Sequence, residues 1–225
     1  MTTNTLPKGA ARLQQRWLVL PLLVAAAATL QACAPLLLGG VVLGGGLVAT
    51  DRRTTGIQLE DEGIELRAAA RVRELATLGQ VAITSYNRIV LLTGEVPATR
   101  EKQAVEEAVM KVENVRSVVN DLTIANNSGI GARSGDALLS TKVKASLIDA
   151  KDLQANAYKV VVERGVVYLM GRVTSREAER GAEVARAVSG VEKVVKVFEI
   201  LSEDELARLG RAGAGAAAAA ASAPR

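Results

Sequence analysis

Apolar and polar residues follow the same course twice in the middle of the chain. The first course runs Ile83-Thr84-Ser85-Tyr86, then Asn87-Arg88, then Ile89-Val90-Leu91-Leu92-Thr93-Gly94-Glu95-Val96. The second runs Val160-Val161-Val162-Glu163, then Arg164-Gly165, then Val166-Val167-Tyr168-Leu169-Met170-Gly171-Arg172-Val173. Runs rich in β-branched residues, joined by a two-residue polar or glycine-containing turn, predict a hairpin. A helix-like stretch follows each hairpin, Thr99 to Val112 or Ser175 to Val188, with Ala104, Ala108 and Val112 marking the buried side of the first. Valines then recur at Val115, Val118 and Val119, and again at Val191, Val194 and Val195. Gly94 and Gly171 stand where the second strand of each hairpin is expected to end, and glycine there lets the chain leave the sheet.

Helical patterns at about 62–78 and about 138–149 precede the hairpins, and last strands are expected at 116–124 and 193–200. The predicted fold class is α+β: two tandem αββαβ sandwiches, each a three-stranded mixed sheet packed on two helices. The expected division is a leader at 1–32, a tether at 33–56, a first unit at 57–125, a linker at 126–135, a second unit at 136–201 and an Ala/Gly tail at 202–225. The linker Asn126-Asn127-Ser128-Gly129-Ile130-Gly131-Ala132-Arg133-Ser134-Gly135 is glycine-rich between a strand and a helix, as a phosphate loop is. It has no Gly-Lys-Ser/Thr sequence and no second βα unit around it, so it reads as a connection.

Composition narrows the chemistry. The chain of 225 residues has one cysteine and no histidine, which excludes a His base, a Ser-His-Asp triad, a His-ligated metal and an internal disulfide. The net charge of +4 comes mainly from Lys8, Arg12 and Arg16, since residues 1–32 carry no acid. Past that point the chain is nearly neutral, and its four aromatics (Tyr86, Tyr158, Tyr168, Phe198) build no stacking platform, so nucleic acid is not an expected partner. Glu106 and Glu107 are neighbours on a helix and point about 100° apart, which makes them a solvated face, not a facing carboxylate pair. No activated serine or lysine and no calcium-loop spacing is present, so neither an enzyme nor a metal or cofactor site is expected.

The first three basic residues precede an uncharged run that ends in Leu30-Gln31-Ala32-Cys33, the layout of a secretory signal. The lone Cys33 directly after it resembles the acylated cysteine of a bacterial lipobox, and Ala34 in place of aspartate implies sorting to the outer membrane. Two other readings compete. Cys33 could be an ordinary buried thiol, and the charge-free stretch from Trp17 to Thr50 is as long as the roughly 20 residues of a spanning helix. Pro35 and the glycines at 39, 40, 44, 45 and 46, with Gly56 just beyond, break its second half and favour acylation.

Strand, turn, strand, Leu-x-Gly-x-Val, helix, then Asn114-Val115 through Asn120, or Gly190-Val191 through Val195, resembles the BON domain family over about 61–201. The lipobox, the Gly-rich tether and the two tandem units together are similar to dual-BON outer-membrane lipoproteins. That resemblance implies a periplasm-facing protein that supports envelope integrity and binds anionic phospholipid, such as phosphatidylglycerol or cardiolipin, through the first helix of its second unit. Where the family has an aromatic near the start of that helix, this chain has Leu138.

The residues point to the same helix independently. At about 100° per residue, Leu139, Val143, Ser146, Leu147 and Ala150 share one face, which should pack on the sheet. Leu138, Thr141, Ala145 and Ile148 share the opposite face, flanked by Lys142 and Lys144, with Lys151 just beyond. An apolar stripe edged by lysines suits the headgroup region of a bilayer. The first unit's helix, taken with Ala68, Val72 and Leu75 inward, offers Arg67, Ala70, Glu74 and Thr77 outward and no large apolar group. Residues 61–125 hold 8 bases and 10 acids, whereas 136–201 hold 11 and 9, so the second unit is the better expected ligand for an anionic surface. The competing reading is a protein-docking or interdomain surface, for instance toward outer-membrane assembly proteins.

Overall fold

The computed structural model describes residues 51–75, 79–125 and 130–211, with residues 130–133 described by backbone alone. The expected leader, Cys33, most of the tether, the start of the linker and the end of the tail lie outside the described residues. The first repeat is α1 (Thr55–Glu74), β1 (Gln80–Tyr86), β2 (Ile89–Val96), α2 (Thr99–Met110), β3 (Ser117–Asn120) and β4 (Thr123–Ile124). The second is α3 (Ile130–Asp149), a 3-10 turn (Ala155–Ala157), β5 (Tyr158–Glu163), β6 (Val166–Thr174), α4 (Ser175–Arg186) and β7 (Lys193–Leu201). A further helix, α5, spans 203–211.

Both sheets have the expected mixed topology. β1 pairs antiparallel with β2, and β3 and β4 pair parallel with β2; β5, β6 and β7 repeat this arrangement. β3 and β4 are one strand in a single register on β2, interrupted at Asp121-Leu122, where β7 runs unbroken. The hairpin turns carry positive φ at both central residues, Asn87 and Arg88 (51° and 66°) and Arg164 and Gly165 (52° and 74°), the twist a two-residue hairpin needs.

A carboxylate from the preceding helix holds each turn. Asp136 accepts the amides of Arg164 and Gly165 at 2.8 and 3.0 Å. Asp61 accepts those of Asn87 and Arg88, both at 2.8 Å, together with the Ser85 hydroxyl. Burial alone would raise the Asp61 carboxyl, but these donors and Arg53 hold it below its ordinary value.

Helices α1 and α2 cover one face of the first sheet. Ile64, Ala68 and Val72 of α1 and Val105 and Val109 of α2 pack there on Val90, Leu92 and Val96. On the second sheet, α3 and α4 set Leu139, Val143, Leu147, Ala178 and Ala185 against Val160, Val167, Leu169 and Val173. The remaining faces of the two sheets meet each other. Tyr86 and Leu91 of the first repeat join Tyr168, Met170 and Val197 of the second in a third apolar cluster. Ion pairs rim it: Arg164 with Glu95 at 2.8 Å, Lys159 with Glu65 at 3.0 Å and Arg116 with Glu199 at 2.6 Å. The Tyr168 hydroxyl donates to Asp121 in the strand interruption. The layers therefore run helices, sheet, sheet, helices, with α1 and α3 on opposite outer faces.

Several expectations are corrected. Helix α1 begins at Thr55, inside the expected tether, because Thr54 caps it by accepting the Ile57 amide. It ends at Glu74, so Leu75 is its C-cap and lies 41% exposed; Ile64 takes the inward place expected of Leu75. Helix α3 begins at Ile130, inside the expected linker. The expected tail begins with α5, where Ser202 and Glu205 exchange capping hydrogen bonds. In α2 the fully buried residues are Val105 and Val109, one position on from Ala104 and Ala108, since the wider valines reach the sheet.

The two glycines lie within strands and not at their ends, and their reason is close approach. A Cβ on Gly94 would collide with the Gln80 carbonyl oxygen, and one on Gly171 with that of Ala157. Gly94 has φ +108°, a region L residues seldom enter.

Candidate functional site

Helix α3 presents two faces of different character. Leu139, Val143 and Leu147 are buried against the second sheet. On the other side Leu138 and Ile148 are 59% and 68% exposed, and Thr141, Lys142, Lys144 and Ala145 are exposed with them. The structure thus brings all six sequence-picked residues together on one solvent-facing surface. The Thr141 hydroxyl donates back to the Ala137 carbonyl at 3.1 Å, which removes a polar donor from the stripe. Lys151 is exposed just past the helix end, and the acidic Asp149 and Asp152 are exposed near it. Asp136, engaged with the hairpin turn, fixes the start of this segment against the sheet.

A groove of about 380 Å³ lies beside this face, lined by Lys144 and Ile148 of α3, Ala155 and Tyr158 of the sheet side, and Asp51 of the segment that leads into the domains. That segment is clasped at the junction of the repeats. Arg52 sends its two terminal nitrogens to the two carboxylate oxygens of Glu177, each at 2.7 Å, and to the Arg172 carbonyl at 2.8 Å. Arg53 turns the other way, pairing with Asp61 at 2.8 Å and resting 4.1 Å from the centre of the Tyr86 ring. Glu177 also closes the capping box of α4 with Thr174. Burial would raise the Glu177 carboxyl, yet Arg52 and the Thr174 amide keep it below its ordinary value. Burial, reinforced by Asp51, pushes the Tyr86 hydroxyl up to about 12.

Sequence reasoning missed this clasp, because Arg52 and Glu177 have no local spacing that would connect them. It also missed the exposed leucines of α1. Leu59 and Leu66 are 70% and 73% exposed, so the expectation that this helix carries no large apolar group outward is corrected. Charge differs between the two outer faces: α1 sets its leucines among both signs, Glu62 and Glu65 with Arg67 and Arg73, whereas α3 sets its own beside lysines. Among the described residues no three His, Cys, Asp or Glu side chains gather as a metal site would require, and no helix is long and apolar enough to cross a membrane.

Comparison with known proteins agrees with the repeat. The BON domain matches residues 64–126 and 135–202. The chain is 37% identical over 185 residues to the outer membrane lipoprotein DolP of Haemophilus influenzae, covering 81% of this chain and 95% of that one. It is 33% identical over 151 residues to a 21 kDa hemolysin of Actinobacillus pleuropneumoniae, covering 66% of this chain and 78% of that protein. It is also 28% identical over 138 residues to the osmotically-inducible protein Y of Escherichia coli, covering 61% and 66% of the two. With two αββαβ repeats on both matched segments and this likeness over most of its length, the chain belongs to the BON domain family, as a dual-BON, DolP-like protein of the outer membrane.

Proposed function

We propose that this chain is a non-enzymatic, periplasm-facing lipoprotein, acylated at Cys33, that binds anionic phospholipid through the outer face of α3 and so supports envelope integrity. The observation that carries the reading is that Leu138 and Ile148 stand outward, 59% and 68% exposed, between Lys142 and Lys144. Apolar side chains at that position can enter the acyl boundary while the ammonium groups meet phosphate. Each such lysine near an anionic surface contributes about 1 kcal/mol. The groove between Asp51 and α3 supports it further, since the first described residue lies beside this face. Anchor and helix then address one membrane, and tethering raises the effective concentration so that a weak headgroup affinity suffices.

Vesicle co-sedimentation tests this with a soluble chain running from Leu47 to Arg225, which retains Arg52 and Arg53. Vesicles containing phosphatidylglycerol or cardiolipin should carry the protein down, and neutral phosphatidylcholine vesicles should not. Lys142→Glu combined with Leu138→Asp should abolish binding. Equal sedimentation with neutral and anionic vesicles would overturn the reading.

A further inference from the structure

We infer that the groove between α1 and β1 in the first repeat is a docking site for an extended polypeptide segment, apolar at its centre and basic at one end, that adds as a strand to the free edge of β1. Among the described residues, strand β1 is the edge of its sheet. Ser85 reveals which of its backbone groups face outward: the amide donates to Glu65 at 2.8 Å and the carbonyl accepts from Lys159 at 3.1 Å, both off the sheet. The Gln80 carbonyl, one step out of phase, points across to Gly94 of β2. With a period of two, Val81 and Ile83 therefore aim their amides and carbonyls away from β2, as half of a ladder.

Beside that half-ladder runs an open groove of about 760 Å³, walled by Leu66 and Ala69 of α1 and by the side chains of Val81 and Ile83. Outward backbone groups next to an apolar wall call for a peptide: its main chain completes the ladder and alternate side chains fill the groove, whereas a lipid tail would satisfy none of those donors and acceptors. Glu62 stands exposed at one end of the groove and selects a basic residue there; Glu65 beside it is already engaged by the Ser85 amide and Lys159, and Arg73 lies on the lining as well. A second copy of this chain fits less well. The side chains of Glu65 and Lys159 already cover Ser85, so a two-fold pairing of β1 with itself is confined to Val81 and Ile83, the blunting that keeps sheet edges from joining. Because α1 and α3 lie on opposite outer faces, this site stays open while α3 rests on a bilayer.

The test selects from a displayed random-peptide library on the detergent-solubilised full chain, then measures the affinity of the enriched peptides and the amide exchange they protect. Enriched sequences should alternate apolar residues, carry a Lys or Arg, and slow exchange at Val81 and Ile83. Ile83→Pro removes one outward donor without touching the β1–β2 ladder, and should weaken them at least about tenfold. Glu62→Lys, on the exposed face of α1, should select against the basic residue without disturbing the fold. Sedimentation with anionic vesicles should be unchanged by Ile83→Pro, which alters no charge, so this inference and the α3 reading stand or fall separately. Failure to enrich any sequence, enriched peptides that bind Ile83→Pro equally well, or a concentration-dependent dimer that protects the same amides would each overturn it.

Discussion

Arg52 and Glu177 lie 125 residues apart in sequence and form a two-pronged ion pair, each prong 2.7 Å, almost entirely out of solvent. The guanidinium fork matches the carboxylate in a way a lysine could not. Removing one partner leaves the other charge buried and alone, so Arg52→Ala should destabilise the fold by about 3 kcal/mol, and Arg52→Lys should recover only part of that loss. Urea unfolding of the Leu47–Arg225 chain measures both.

The same buried carboxylates set the response to acid. Asp61 and Glu177 are held below their ordinary values of 3.8 and 4.5, so each contributes stability that is fully present above those values. That stability is lost as pH falls through them toward the lower values of the folded state. Thermal stability should therefore fall steeply below about pH 4.5. Asp61→Asn and Glu177→Gln should start less stable at neutral pH and show a flatter acid limb; an unchanged limb in both would contradict this account.

The sheet-to-sheet cluster offers a packing test. Met170 is fully buried between the repeats, and Met170→Ala should cost about 2–5 kcal/mol through the cavity it leaves. Exposed Met110 has no such partners, and Met110→Ala should move the midpoint by less than about 0.5 kcal/mol.

Gly94→Ala combines a positive φ with a collision at the Gln80 carbonyl, so it should destabilise by more than about 1 kcal/mol. Gly135→Ala, in α3 with open space around it, should be neutral or stabilising by helix propensity. Differential scanning calorimetry of the two variants separates them.

For the membrane reading, single lysine substitutions should be graded. Lys142→Ala or Lys144→Ala should each weaken anionic-vesicle binding by about fivefold, the equivalent of about 1 kcal/mol. Raising the salt should weaken the parent chain in the same direction. Ile148→Asp should reduce binding at every salt concentration, since it removes the apolar part of the contact.

The hairpins were legible because alternation and a two-residue turn are local signals, and Asn87-Arg88 and Arg164-Gly165 take the twist such turns need. The outward set on α3 was legible for the same reason, as the period of a helix fixes which residues share a face. The starts of α1 and α3 were not, because polar and glycine-bearing first turns such as Ile130 to Gly135 look like connection until capping and packing are seen. Leu59 was lost with the first turns of α1, whereas Leu66 lay inside the expected helix but outside the outward set of Arg67, Ala70, Glu74 and Thr77. The contact between the sheets did leave a trace: Val90-Leu91-Leu92 and Leu169-Met170 are apolar on consecutive positions, and a strand reads so when both of its faces are covered.

That mutual covering has a consequence for how the molecule can be divided. Tyr86 and Leu91 from one half and Tyr168, Met170 and Val197 from the other shelter one another. Excising either half would wet an oily sheet surface on both products, an invitation to aggregation. The two repeats should therefore fold and be handled as one piece, with the cut ends placed outside both.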